Sequence, residues 1–170
     1  DSNARIDVGA LGKGYATEKA AELLEKKGIS SYVLNIGGNI RIIGTKLDGS
    51  GWSTGIRDPK NPDGDFAVTI EVKDTAVVTS GSYERYFVVD GVKYPHIIDK
   101  DTLYPARYYD SLTVITKDSG LADCLSTALY CMPLEEGKKL VESLDGVECI
   151  WIEADGNVEM TDRVKDLVVK

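Results

Sequence analysis

Along residues 15–27 the apolar positions Ala20, Leu23 and Leu24 return at helical spacing, and Gly28 stands where a helix would stop. That pattern predicts an amphipathic helix over 15–27. Residues 31–36 and 40–43 are β-rich runs broken by Gly37-Gly38, which reads as strand, tight turn and strand. Phe66, Val68, Ile70 and Val72 alternate with polar neighbours, the period of a half-buried strand, with 76–79 expected beside it. Runs 85–89 and 92–98 flank Asp90-Gly91, the two-residue signature of a hairpin, and 112–116 is another strand. From Leu121, the positions Leu121, Leu125, Ala128, Leu129 and Met132 predict a helix with one buried stripe. A second helix over 134–144 follows Pro133. Runs 147–152 and 158–160, joined through Asp155-Gly156-Asn157, close the chain as a hairpin. Hairpin-linked strands with about three helices, and no alternating strand–helix rhythm, predict an α+β fold: a mixed, mainly antiparallel sheet, with residues 1–170 as one domain.

Charge narrows the partners. Twenty Lys and Arg against 28 Asp and Glu leave a net charge of -8, the wrong sign for a protein that binds nucleic-acid backbones through clustered cations. Apolar runs fall far short of the roughly 20 residues a membrane-spanning helix needs. Cys124, Cys131 and Cys149 form no C-x-x-C pair and read as buried thiols, not as a zinc site or a disulfide framework. Gly12-Lys13-Gly14 fails as a P-loop because a glycine stands where the hydroxyl residue belongs. The acidic stretch 58–72 fails as a calcium loop because Val72 occupies the position that requires Glu. A single histidine, His96, rules out multi-histidine cages, and no G-x-S-x-G surrounds Ser80 or Ser82.

Two constellations survive. On a helical wheel Asp123 and Thr127 lie about 40° apart and away from the apolar stripe. A carboxylate and a hydroxyl so placed suit Mg²⁺, which takes one or two protein oxygens and completes its shell with water and phosphate; they also suit a solvated helix face. The run Asp7-Val8-Gly9-Ala10-Leu11-Gly12-Lys13-Gly14-Tyr15-Ala16 puts three glycines and a lysine just before a helix. It reads either as an anion-binding helix start or as a glycine-rich one with a solvated lysine.

Together with Asn35-Ile36-Gly37-Gly38-Asn39, Thr79-Ser80-Gly81-Ser82-Tyr83-Glu84-Arg85-Tyr86-Phe87, His96-Ile97-Ile98-Asp99 and Ala122-Asp123-Cys124-Leu125-Ser126-Thr127-Ala128, that run resembles, in the same order, the ApbE-like FAD:protein FMN transferases. The resemblance covers what looks like the C-terminal two thirds of the family's catalytic region, without the upstream part that contributes to the flavin and adenine pocket. It implies Mg²⁺-dependent transfer of FMN from FAD to a Ser or Thr hydroxyl of an acceptor flavoprotein, with AMP released. By motif position it implies metal contacts from Asp123, Thr127 and the Ala10 carbonyl. It also implies FAD contacts from Asp7, Lys13 and Ile98, with Ser80 and Gly81 lining the flavin, and a catalytic place for His96 beside Asp123. Family members are commonly extracytoplasmic lipoproteins, so a membrane anchor would lie upstream of Asp1. The chain departs from the family's His-x-x-Asp-Pro-Arg-Thr-Gly at Lys100, Asp101 and Leu103. Two other functions stay open at this point: a Mg²⁺-dependent FAD pyrophosphatase giving FMN and AMP, and a catalytically incomplete flavin-binding or interaction module.

Overall fold

Asp7 sets the start of the first helix. In the computed structural model, which describes residues 3–169, Asp7 Oδ1 accepts the Gly9 N–H at 2.6 Å, and α1 runs Gly9–Lys26. The Leu11 and Gly12 N–H groups donate back to the Val8 carbonyl, so donors that a helix start leaves free are used within the chain. The helix thus begins well before residue 15, and Gly12, Lys13 and Gly14 lie inside it. Each helical glycine costs about 1 kcal/mol against alanine, which is why the run reads as a loop. Its compensation is tertiary and lies at Gly14.

The remaining elements are β1 (Tyr32–Ile36), β2 (Asn39–Ile43), β3 (Trp52–Arg57), β4 (Phe66–Val72), β5 (Thr75–Gly81), β6 (Tyr86–Val89), β7 (Val92–Pro95), β8 (Tyr109–Thr116), α2 (Ser119–Tyr130), α3 (Leu134–Glu142), β9 (Glu148–Glu153), β10 (Val158–Met160) and α4 (Asp162–Lys165). Six strands form one sheet in the order β1-β2-β5-β8-β9-β10, and β3–β4 and β6–β7 are separate two-stranded ribbons. Every ladder among the described residues is antiparallel. The α+β class holds, with α4 as a fourth, short helix. Gly37 and Gly38 (φ 57° and 83°), like Asp90 and Gly91 (φ 49° and 77°), take the left-handed backbone that two-residue hairpin turns demand.

Alternation along the central strands sorts two cores. Ala76, Val78, Leu112, Val114, Cys149 and Trp151 face α2 and α3, while Val77, Ile115, Ile150 and Ile152 face the β3–β4 ribbon and Val164 of α4. The expected pairing of the Phe66–Val72 strand with 76–79 does not occur. β4 pairs with β3 instead, because a turn with Asp74 at φ 47° carries the chain from the ribbon into the central sheet. β3 escapes the periodicity because Gly55 interrupts it; the Phe66 ring occupies the space a side chain at Gly55 would fill.

The stripe expected on α2 holds in part, since Leu125, Leu129 and Met132 pack against the helix-side core, but the buried face is wider than the stripe. Leu121 is 45% exposed, and the buried face carries Ser119, Ala122, Asp123, Ser126, Leu129 and Tyr130. Asp123, which the helical wheel sets away from the apolar stripe, is 5% exposed. The reason is the close crossing of α1, which needs small or hydrogen-bonding residues more than bulk. A β-carbon built on Gly14 would stand 2.3 Å from the Ser119 carbonyl oxygen and 2.5 Å from Asp123 Cβ. Glu18 of α1 extends the same contact: it accepts the Ser119 N–H at 2.7 Å and pairs with Arg41 of β2 through both carboxylate oxygens, at 3.0 and 3.3 Å. No helix among the described residues is long and apolar enough to cross a membrane.

Two glycines two residues apart should therefore respond oppositely. Gly14→Ala overpacks the crossing and is expected to destabilise by about 1–3 kcal/mol. Gly12→Ala meets nothing within 4 Å and should stabilise by up to about 1 kcal/mol through helix propensity. Paired urea or thermal unfolding curves check both signs.

Candidate functional site

The α1–α2 crossing sets the helix that bears Ala10 and Lys13 against the helix that bears Asp123 and Thr127. Gly14 N–H, whose regular helical acceptor is the Ala10 carbonyl four residues back, donates at 2.7 Å to Asp123 Oδ2. Ala10 lies one turn before Gly14 on the same helix. Thr127 lies one turn further along α2, half-buried. Among the described residues no Lys, Arg or His forms an ion pair with Asp123, although a buried charge ordinarily requires a partner. No group of three or more His, Cys, Asp or Glu that could hold a metal occurs among the described residues. A hard cation here would draw on one carboxylate, a hydroxyl and a backbone carbonyl, a donor set typical of Mg²⁺ sites completed by water and phosphate.

Lys13 sits in the second turn of α1, not at its first residue. Its ammonium reaches the Gly37 carbonyl in the β1–β2 turn at 3.4 Å. The helix start itself is capped by the Asp7 carboxylate, so in this conformation it presents an anion where an anion site was expected. The turn that receives Lys13 lies near the end of β5 as well, since a β-carbon on Gly38 would come within 3.8 Å of Glu84 Oε1.

Ser80 and Gly81 end β5. The Ser80 hydroxyl lies 2.8 Å from the Ser126 hydroxyl of α2, and Gly81 is covered by the Tyr83 ring, which would stand 2.5 Å from an added β-carbon. Burial and the neighbouring Glu84 push the Tyr83 hydroxyl above its ordinary range. The strand end, the glycine turn and the α1–α2 crossing therefore adjoin one another.

His96 and Ile98 lie on a neighbouring segment. His96 is exposed at the end of β7, where its backbone N–H and its Nδ1 both lie 3.1 Å from the Arg85 carbonyl. With the proton on Nδ1, Nε2 carries the free lone pair. Ile98 presents its side chain to solvent, and its carbonyl lies 3.8 Å from Cys131 Sγ beyond the end of α2. No hydrogen bond joins His96 to Asp123. The cysteines depart from expectation: Cys124 is exposed, Cys131 half-buried and only Cys149 buried. Burial raises the Cys149 thiol well above its ordinary range.

The loop after Ile98 is built on Asp99, whose Oδ1 accepts the N–H groups of Asp101 (2.7 Å) and Thr102 (3.0 Å). Those bonds, Thr102's first, hold the carboxyl below the usual carboxylate range. Leu103 takes φ 58°, a left-handed conformation, with its side chain 77% exposed. This is the position at which the family pattern carries glycine; the backbone keeps the glycine geometry although the residue is leucine. The loop borders a hollow of about 480 Å³ lined by Tyr104, Arg107 and Tyr108, among others. A larger groove of about 620 Å³ between α3 and β10 holds none of the expected site residues; it is crossed by the ion pairs Lys138–Glu159 and Arg163–Glu148.

Sequence reasoning passed over Gly14, Ser126 and the carbonyls of Gly37 and Arg85. The first had a signal, as the third glycine of its run; backbone acceptors have none.

The ApbE family model matches residues 1–151. An FAD:protein FMN transferase of Treponema pallidum is 35% identical over 173 residues, covering 96% of this chain and 48% of the relative; one of Vibrio cholerae is 37% identical over 139 residues, covering 81% and 42%. Among solved structures, an ApbE protein of Thermotoga maritima superimposes with a TM-score of 0.88 at 38% identity, covering 98% of this chain and 54% of that one. The flavin transferase ApbE of Vibrio cholerae gives 0.80 at 32%, covering 95% and 52%. The chain spans about half the length of the relatives it matches.

The Asp99 loop yields two expectations. Leu103→Gly removes a left-handed strain of about 1–2 kcal/mol against a glycine entropy cost of about 0.5–1 kcal/mol, so a net gain in unfolding free energy is expected. Because the folded pKa of Asp99 is lowered, its contribution is present above the unfolded carboxylate pKa and is lost as pH falls through the lowered value. Asp99→Asn should accordingly flatten the acid limb of the stability–pH curve, measured by chemical unfolding between neutral pH and pH ~3.

Proposed function

The chain belongs to the ApbE family, and on that premise we propose that it supplies the metal-binding and phosphate-facing side of a Mg²⁺-dependent FMN transfer from FAD to a Ser or Thr hydroxyl of an acceptor flavoprotein, with AMP released. The observation that carries the reading is Asp123: a buried carboxylate without a cationic partner, held by the Gly14 N–H of α1 and one turn from Thr127. Asp123, Thr127 and the Ala10 carbonyl would hold Mg²⁺. Bound there, the ion would neutralise charge on the phosphates during cleavage of the anhydride.

The protein's own groups take the other parts. In the reaction the acceptor hydroxyl oxygen bonds to the FMN phosphorus, the bond to the bridging oxygen breaks, AMP carries that oxygen away, and the hydroxyl proton is lost. Lys13 places a positive charge against phosphate by swinging from the Gly37 carbonyl, a contact at the long limit of a hydrogen bond. His96, fixed twice on the Arg85 carbonyl, offers Nε2 to the departing proton. Asp7, Ser80, Gly81 and Ile98 bound the space for FAD. An extracytoplasmic, anchored setting follows the family resemblance and belongs to this proposal as well.

Asp123→Asn keeps the shape and removes the charge. Because Asp123 is buried against α1, this variant, and not the cavity-forming Asp123→Ala, is the test of the metal role. In a chain extended to the relatives' length it is expected to abolish Mg²⁺-dependent FMN transfer, followed by mass spectrometry of the acceptor; wild-type transfer at saturating Mg²⁺ would overturn the assignment. Lys13→Ala should lower turnover and Lys13→Arg restore part of it, whereas equal wild-type rates would leave Lys13 a surface residue. The relatives carry their activity on chains about twice as long, and a large ligand needs most of its surface enclosed. Residues 1–170 alone are therefore expected to bind FAD more weakly than low micromolar, measured by fluorescence titration.

A further inference from the structure

Ser126 is completely buried in the middle of the segment that bears Asp123 and Thr127. Its hydroxyl donates to the Asp123 carbonyl at 2.9 Å and lies 2.8 Å from the Ser80 hydroxyl. A serine hydroxyl has one proton. With the Ser126 proton committed to the Asp123 carbonyl, the proton between the two serines must come from Ser80. The bond therefore has a direction: β5 donates into α2, and Ser80 turns only its lone pairs to whatever lies over the strand end.

Taking the proposed metal site as its premise, we propose that Ser126 is a positioning residue: it pins the Asp123 turn of α2 to the end of β5 and sets Ser80 as a hydrogen-bond acceptor toward a ligand. Two consequences follow from the chemistry. Asp123 is held from both sides, by Gly14 N–H on its carboxylate and by Ser126 on its carbonyl, so loosening the second loosens the aim of the first. Ser80 in this polarity complements a donor, such as a ligand hydroxyl or ring N–H, and not a phosphate oxygen, which would require the Ser80–Ser126 bond to break. The two sides of the site, strand end and helix, are thereby coupled through a single pair of hydroxyls. Without that pair the helix would still pack, since Leu129 and Tyr130 carry the apolar contact.

The test uses the 170-residue chain itself and two readouts. The first is amide hydrogen exchange at Gly14, whose N–H reports the Asp123 carboxylate without any metal. Ser126→Ala is expected to speed Gly14 exchange by about tenfold while the amides of Leu129 and Tyr130 hold their protection. Ser80→Ala should act in the same direction, Ser80→Thr should retain protection, and the double alanine variant should be no worse than Ser126→Ala. The second is Mn²⁺ affinity by electron paramagnetic resonance, expected to fall about tenfold in Ser126→Ala, as for loss of a group that orients a metal ligand. Unchanged Gly14 exchange in Ser126→Ala, or strictly additive effects of the two alanines, would overturn the positioning role. Failure of the unaltered chain to take up Mn²⁺ would overturn the metal reading instead, leaving the Gly14 result to decide this one separately.

Discussion

The contact between Gly14 and Asp123 is the constraint from which the rest of the site follows. Two helices cross so closely that no side chain fits at the crossing, and the backbone N–H of the glycine, which no side chain covers, becomes the partner of a buried carboxylate. Each half explains the other. A glycine inside a helix costs propensity and is tolerable only where close approach returns the loss; a buried carboxylate is tolerable only where donors meet it. Glu18 repeats the device one turn on, accepting the first amide of α2 while paired with Arg41. The crossing thus ties α1, α2 and β2 with polar bonds, and leaves the large apolar residues to the sheet faces.

Much of the fold was legible because periodicity and turn chemistry are local. The hairpins at Gly37-Gly38, Asp90-Gly91 and Asp155-Gly156-Asn157 all form, since left-handed turn positions announce themselves through Gly, Asn and Asp. What was not legible is tertiary. The start of α1 was misplaced because three glycines outweigh helix propensity unless one knows that α2 lies against them. The buried face of α2 was assigned in part: Leu125 and Leu129 do pack on the core, but counting Leu121 with them assumes that core means bulky, while the neighbouring helix demands Ala122, Asp123 and Ser126. β3 was missed because its pairing with β4, not its own pattern, makes it a strand.

The candidate site divides in the same way. Asp123 and Thr127 were legible as a pair from helical spacing, and spacing is independent of which face is buried. Their burial, the bond to Gly14 and the link through Ser126 to Ser80 join residues 46 to 109 positions apart, and no local pattern encodes them. The motif order brought Ala10, Lys13 and Ser80 to attention, but only the tertiary contacts join their elements to α2, through Gly14 and Asp123 on one side and Ser80 and Ser126 on the other.

Electrostatics gives the last step. A chain of net charge -8 that is proposed to handle a dinucleotide has to do so against its own field, but that field is screened over about 8 Å at physiological salt. Groups within a few ångströms decide the matter. There the helix start, the usual place for phosphate, is already taken by Asp7, and the nearest flexible cation, Lys13, rests on a neutral carbonyl at 3.4 Å. The anion site is therefore not preformed around the helix dipole. It would be assembled when a divalent ion joins Asp123 and Lys13 leaves Gly37 for the phosphates, so that two cationic groups meet the substrate. A buried, unpaired carboxylate is then the element that makes the order work: it favours the cation first, and the cation favours the anionic substrate.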